Sequence, residues 1–146
     1  MLNWIKAQFQ QEDNISSGID IELAACCLLV EIMVADHKQS PEEEEFLFKA
    51  VQRLFDLEDE VVKEIVSDAI KQVDIAHDAY QYTGIINRHW KDKEKRQLLV
   101  ELWRLALSDH HLDKYEEHTI RKFAELLHLH HSDFIQAKLT AQNLMK

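Results

Sequence analysis

A chain of 146 residues is long enough to bury a core without disulfide or metal staples, and a hydrophobic share of 46% excludes a disordered polymer. Two glycines and one proline leave little material for tight turns and strand corners, while Leu, Ala, Glu, Lys and Gln abound, so an all-α fold is expected. A net charge of −10 argues against nucleic acid as a general partner.

The predicted elements begin with an N-terminal amphipathic segment, residues 1–19, in which Leu2, Ile5 and Phe9 recur at helical spacing. It lacks the apolar stretch of a secretory leader, and Ser16-Ser17-Gly18 ends it. Residues 20–146 are expected to form one helical domain. Its first helix runs from Asp20, a cap, to Ala35 or Asp36, with Leu29, Ile32, Met33 and Asp36 on one face. Within it the apolar run Leu23–Val30 is far too short for a membrane span. Cys26 and Cys27 lie in that run, and neighbours on a helix point apart, so they are expected to be small buried hydrophobes with unpaired thiols. A reducing, cytoplasmic location suits them.

Ser40-Pro41-Glu42-Glu43 is a helix start, with Ser40 as cap, Pro41 at the first position and Glu43 closing a capping box. That helix carries Phe46, Leu47, Ala50, Val51 and Leu54. Another follows from about Glu58 to Ile75, with Val61, Val62, Ile65, Val66 and Ile70 as its stripe. A short helix over residues 79–89 presents Tyr82, Ile85, Ile86 and His89. Arg88–Arg96 mixes signs and reads as a solvated loop and first turn. Asp92 is the expected cap of the next helix, whose inner face is Leu98, Leu99, Leu102, Leu105, Ala106 and Asp109. Asp113 and Glu116 form a second capping box, leading into Ile120, Phe123, Ala124 and Leu127. Ser132 or Asp133 begins the last helix. The expected architecture is a single bundle of about seven to eight helices.

The halves are related. Shifting by 73 residues places Leu28–Leu54 on Glu101–Leu127, and both copies read Asp-His, five residues, then Glu-Glu. A duplicated helical hairpin explains this. Charge is not duplicated: residues 1–73 carry 6 Lys+Arg against 16 Asp+Glu, whereas residues 74–146 carry 11 of each. A cation or a basic protein surface is the natural counterpart of the acidic half.

Asp36 and Asp109 are the most informative positions. Each continues an apolar stripe and each sits near a helix C-terminus, where the macrodipole disfavours negative charge. An inward carboxylate there needs a partner: loop N–H groups, a Lys or His, or a metal ion. Glu43 and Glu116 have a structural role as capping-box acceptors. With the Asp seven residues earlier they also make an oxygen-rich corner suited to a hard cation. The spacing is not that of an EF-hand, since the Gly at position 6 and the Glu at position 12 are missing. Six of the nine histidines fall between His110 and His131. His110, His111 and His118 flank the second acidic turn and could add nitrogen ligands, whereas His128, His130 and His131 suit a helix end. No phosphate-cradling loop, nucleophile elbow or triad pattern occurs, so no catalytic residue is nominated.

The segment Leu28-Leu-Val-Glu-Ile-Met-Val-Ala-Asp36 with Glu43 resembles the first acidic motif of the tellurite-resistance TerB-like family. Leu99–Asp109, Asp113–Leu127 and His131–Lys138 resemble the second half of its uncharacterised bacterial branch, and the similarity covers roughly residues 20–140. The resemblance implies an internally duplicated helical domain tied to bacterial stress responses, including tellurite resistance. It also implies divalent-metal binding by acidic residues, which fall here on Glu31, Asp36, Glu43, Glu101, Asp109 and Glu116. Where the family has Gly after each motif Asp, this chain has His37 and His110. That Gly serves a left-handed helix terminus, which His tolerates at a cost, and His110 joins the candidate metal ligands. The expected function is a non-enzymatic cytoplasmic binding or scaffold module with a divalent metal as its candidate cofactor. The alternatives are a metal-dependent hydrolase using the carboxylate–histidine cluster, and a protein-docking module whose acidic surface meets a basic partner.

Overall fold

A computed structural model describes residues 20–35, 41–75, 79–108 and 113–145, and every regular element among them is a helix. The seven are α1 (Ile21–Ala35), α2 (Pro41–Phe55), α3 (Asp59–Ile75), α4 (Ala79–His89), α5 (Asp92–Ala106), α6 (Lys114–Leu126) and α7 (His131–Leu144). The expected N-terminal segment 1–19 lies outside the described residues. Among the described residues no helix is long and apolar enough to cross a membrane.

α1 is the centre of the bundle. Every residue from Leu23 to Val30 is buried, as are Ile32 and Met33, and the helix packs against α2, α3, α4, α5 and α6. A helix apolar on all sides has no solvent face to offer, so its neighbours must enclose it. Cys26 and Cys27 are fully enclosed free thiols. Burial pushes Cys27 up to about 12, against a smaller opposing effect of its hydrogen bond with Tyr82, and raises Cys26 as well. Both are neutral core atoms, as the sequence suggests.

Around α1 the helices each turn one stripe inward. α2 buries Leu47, Ala50 and Val51, and α4 buries Tyr82, Ile85 and Ile86. α6 buries Ile120, Phe123 and Ala124. On α3 the buried positions are Val62, Ile65, Ala69 and Val73, while Val61 is 41% exposed. The expected stripe was too wide: positions 62, 65, 69 and 73 follow the 3.6-residue period, and Val61 is rotated away from it. His89 is exposed at the end of α4.

Helix ends follow the predicted chemistry with three corrections. Asp20 Oδ1 accepts the Leu23 N–H at 3.0 Å, capping α1. Lys91, rather than Asp92, occupies the N-cap of α5, because Glu94 folds back to accept the Lys91 N–H at 3.0 Å. α7 starts at His131, one residue early, because Asp133 accepts the His130 N–H at 3.1 Å. The Arg88–Arg96 stretch is not solvated throughout, since Lys95 is 6% exposed and donates to the Leu127 carbonyl at 3.0 Å. Asn87 donates to the Leu126 carbonyl at 2.9 Å. Those two side chains satisfy the orphan carbonyls at the negative end of α6. That end closes as a Schellman turn: Leu129 N–H reaches the Ala124 carbonyl and His128 N–H the Glu125 carbonyl, each at 3.0 Å, with His128 at φ 63°. A histidine therefore holds a left-handed terminus in this chain.

The duplication extends through three helices per half. Shifted by 73 residues, Pro41, the first residue of α2, lands on Lys114, the first residue of α6. α1 overlays the span of α5, and α3 that of α7, within two residues at their starts. Contacts repeat too: α1 with α2 and α3, and α2 with α3, as α5 with α6 and α7, and α6 with α7. α4 is the connector.

Asp20 carries a pH dependence. Burial raises its pKa to about 7, opposed by the Leu23 N–H and reinforced by the nearby Glu22 carboxylate. A carboxyl with a native pKa above its unfolded value binds its proton more tightly in the fold. Stability then falls as pH rises from about 4 to about 7 and stays low above. Asp20→Asn keeps the capping acceptor and removes the buried charge. The expected result is a Tm gain at pH 8 that vanishes near pH 4; equal or lower stability of the variant at pH 8 would contradict it.

Candidate functional site

The two inter-helix turns each place a glutamate at the third position of the second helix. Glu116 is 3% exposed; its Oε1 accepts the Asp113 N–H at 3.4 Å while Asp113 Oδ1 accepts the Tyr115 N–H at 3.0 Å. The capping box read from the sequence is present. Glu43 occupies the equivalent position of α2, 8% exposed. Both carboxylates have polar partners. The positive end of a helix dipole favours each, which is why a charge is tolerated at such burial. Asp36, Asp109 and His110, the other members of these corners, lie outside the described residues, as do Ser40 and His111. Among the described residues no group of three or more His, Cys, Asp and Glu side chains is arranged to hold a metal ion.

Glu101 does a different job. Arg53 Nε donates to its Oε2 at 3.0 Å and Arg53 Nη2 to its Oε1 at 2.7 Å, a two-pronged pair between the end of α2 and the middle of α5. Arg104 Nε stands 3.9 Å from Oε1. With a side chain only 9% exposed, Glu101 needs these cations. Both of its oxygens are engaged there.

Glu31 and Glu101 are not counterparts. The 73-residue shift carries Glu31 onto Arg104 and Leu28 onto Glu101. That asymmetry shapes two surface grooves. One, of about 370 Å³, is lined by Glu42, Glu45, Phe46, Lys49, Arg53 and Arg104. The other, about 760 Å³, is lined by Glu31, Tyr80, Tyr115, His118, Lys122 and Phe123, with Ala79 and Thr119 between them. Glu42, Glu45, Phe46 and Lys49 shift onto Tyr115, His118, Thr119 and Lys122, and Arg104 onto Glu31. The fold thus builds one groove twice, each between the second helix of one half and the first helix of the other. In the smaller, Arg104 faces Glu42, Glu45 and Lys49; in the larger, Glu31 faces Tyr115, His118 and Lys122.

The predicted residues therefore divide. Glu43 and Glu116 occupy the turns, Glu101 an inter-half ion pair, and Glu31 a groove against α6. Sequence inspection missed Arg53, Arg104, Tyr80 and Lys122. The repeat shift was the usable signal, because it sets Arg104 opposite a candidate glutamate and Lys122 opposite Lys49.

A family model described as tellurite resistance protein TerB matches residues 22–139. Neither the curated proteins nor the solved structures yield a match.

Proposed function

We propose that this chain, which belongs to the TerB tellurite-resistance family, is a non-enzymatic cytoplasmic binding module that takes a divalent cation at its duplicated acidic turns. One observation carries the reading: buried carboxylates, Glu43 and Glu116, stand at equivalent positions of both turns. In sequence, each follows an aspartate, Asp36 or Asp109, by seven residues. Oxygen-rich corners of this kind suit a hard cation, and His110 would extend the second corner toward zinc or nickel. Glu101 does not fit the ligand set, because Arg53 holds both of its oxygens. Glu31 sits apart in the α6 groove. When bound, the metal would tie the inter-helix turn together; the chain's own carboxylates orient the turn and keep it anionic.

A cation that binds only the native protein at 100 times its dissociation constant stabilises it by roughly 2.7 kcal/mol, several degrees in Tm for a domain of this size. After chelator treatment, magnesium, calcium, manganese, nickel and zinc are added singly. The expected result is a shift with at least one, abolished in Asp36→Asn/Asp109→Asn. No shift with any of the five would end the metal reading, and a shift that survives the double substitution would move the site to the histidines. A second reading is docking to a basic protein surface, favoured by the exposed Glu42 and Glu44 in the first turn of α2.

A further inference from the structure

We propose that the larger groove, between α1, α4 and α6, is a docking site for a peptide segment that carries a carboxylate next to an aromatic or branched aliphatic side chain. Its volume, about 760 Å³, lies within the range of ligand clefts. Two of the exposed large hydrophobic residues flank it: Tyr80, 72% exposed on α4, and Tyr115, 55% exposed on α6. Tyrosines offer a broad apolar face at low conformational cost, with a hydroxyl that stays wet when the face is covered. Phe123 supplies an apolar floor.

Charge sets the rest of the ligand. His118 and Lys122 are exposed four residues apart on α6, so they share one face of the helix. Neighbouring N–H donors on one face, the Lys122 ammonium and the His118 imidazole, suit a single carboxylate. Glu31 on the opposite wall disfavours a polyanion. Both features separate this groove from its smaller counterpart, where Glu42 and Glu45 replace Tyr115 and His118 and where Arg53 is engaged with Glu101. Only the larger copy of the duplicated groove combines this volume with tyrosine walls and the His118–Lys122 donor pair.

The groove adjoins the second acidic turn through Tyr115 and His118, so its test is run in chelator, which keeps metal out of that turn. Random twelve-residue peptides displayed on phage are selected on the full chain, and the enriched sequences are synthesised and titrated. The expected consensus pairs Asp or Glu with an aromatic or branched aliphatic residue within two positions. Affinity should fall at least roughly tenfold in Tyr80→Ala and in Lys122→Glu, and stay unchanged in Glu45→Gln on the other groove. All three positions are at the surface, and circular dichroism verifies that the variants fold. A basic consensus, binding indifferent to Tyr80 and Lys122, or failure to enrich any sequence would each overturn the proposal.

Discussion

Leu29→Ala is expected to cost about 2–5 kcal/mol, toward the upper part of that span. Leu29 is completely buried on α1, the helix that five others enclose. Truncation there loses the transfer energy of the removed methyl groups and leaves a cavity that fixed neighbours cannot close. The repeat-related Leu102 on α5 is equally buried, and α5 packs against α1, α2, α6 and α7. Leu102→Ala should therefore cost a comparable amount. A loss of about 3 kcal/mol lowers Tm by roughly 10 °C at this chain length. Leu139→Ala on α7, where the side chain is 49% exposed, is the control and should move stability by no more than about 0.5 kcal/mol. Urea denaturation of the three variants decides it. A Leu29→Ala cost no larger than the control's would mean that α1 is not the enclosed helix.

The family, the all-helical class and the duplication were legible because each rests on local, repeated chemistry. Capping residues, a 3.6-residue apolar period and the matching acidic turns are all near neighbours in sequence. Asp113 with Glu116 and Asp20 with Leu23 behave as their spacing suggests. What the sequence hid were helix facing and the contacts between helices distant in the chain. Lys95 was assigned to solvent because its neighbours are charged; its aliphatic stem is buried and its ammonium reaches a carbonyl 32 residues away. Val61 was placed inward because it adjoins Val62, although adjacent positions on a helix point about 100° apart. Glu101 was grouped with the turn carboxylates by motif, but its partner lies 48 residues earlier on α2. The Lys95 and Glu101 pairings have no local signature, since pairing over such separations is set by how the helices stack.

The Arg53–Glu101 pair gives the second large effect, and its sign pattern is asymmetric. Glu101 is the buried member, whereas the Arg53 side chain is 36% exposed. Arg53→Ala strands a carboxylate among α2 and α5 side chains, with Arg104 at 3.9 Å as its remaining cation. Breaking a buried pair this way costs about 3–5 kcal/mol, and Arg104 places the expected value near the lower figure. Glu101→Ala frees Arg53 to turn into water, so its expected cost is smaller, about 1–2 kcal/mol, part of it lost packing. The double variant should resemble Glu101→Ala, because no buried carboxylate is left over and Arg104 stands as it does in that variant. That corresponds to a coupling equal in size to the Arg53→Ala cost, roughly 3 kcal/mol, the upper end of the range for residues in contact. Glu101→Leu, which fills the space without charge, should fall close to the parent. Equilibrium unfolding of the four variants and the parent supplies the cycle. Equal, additive losses for the two single alanine variants would show that the pair behaves as an exposed ion pair, and that Glu101 is not what ties α2 of one half to α5 of the other.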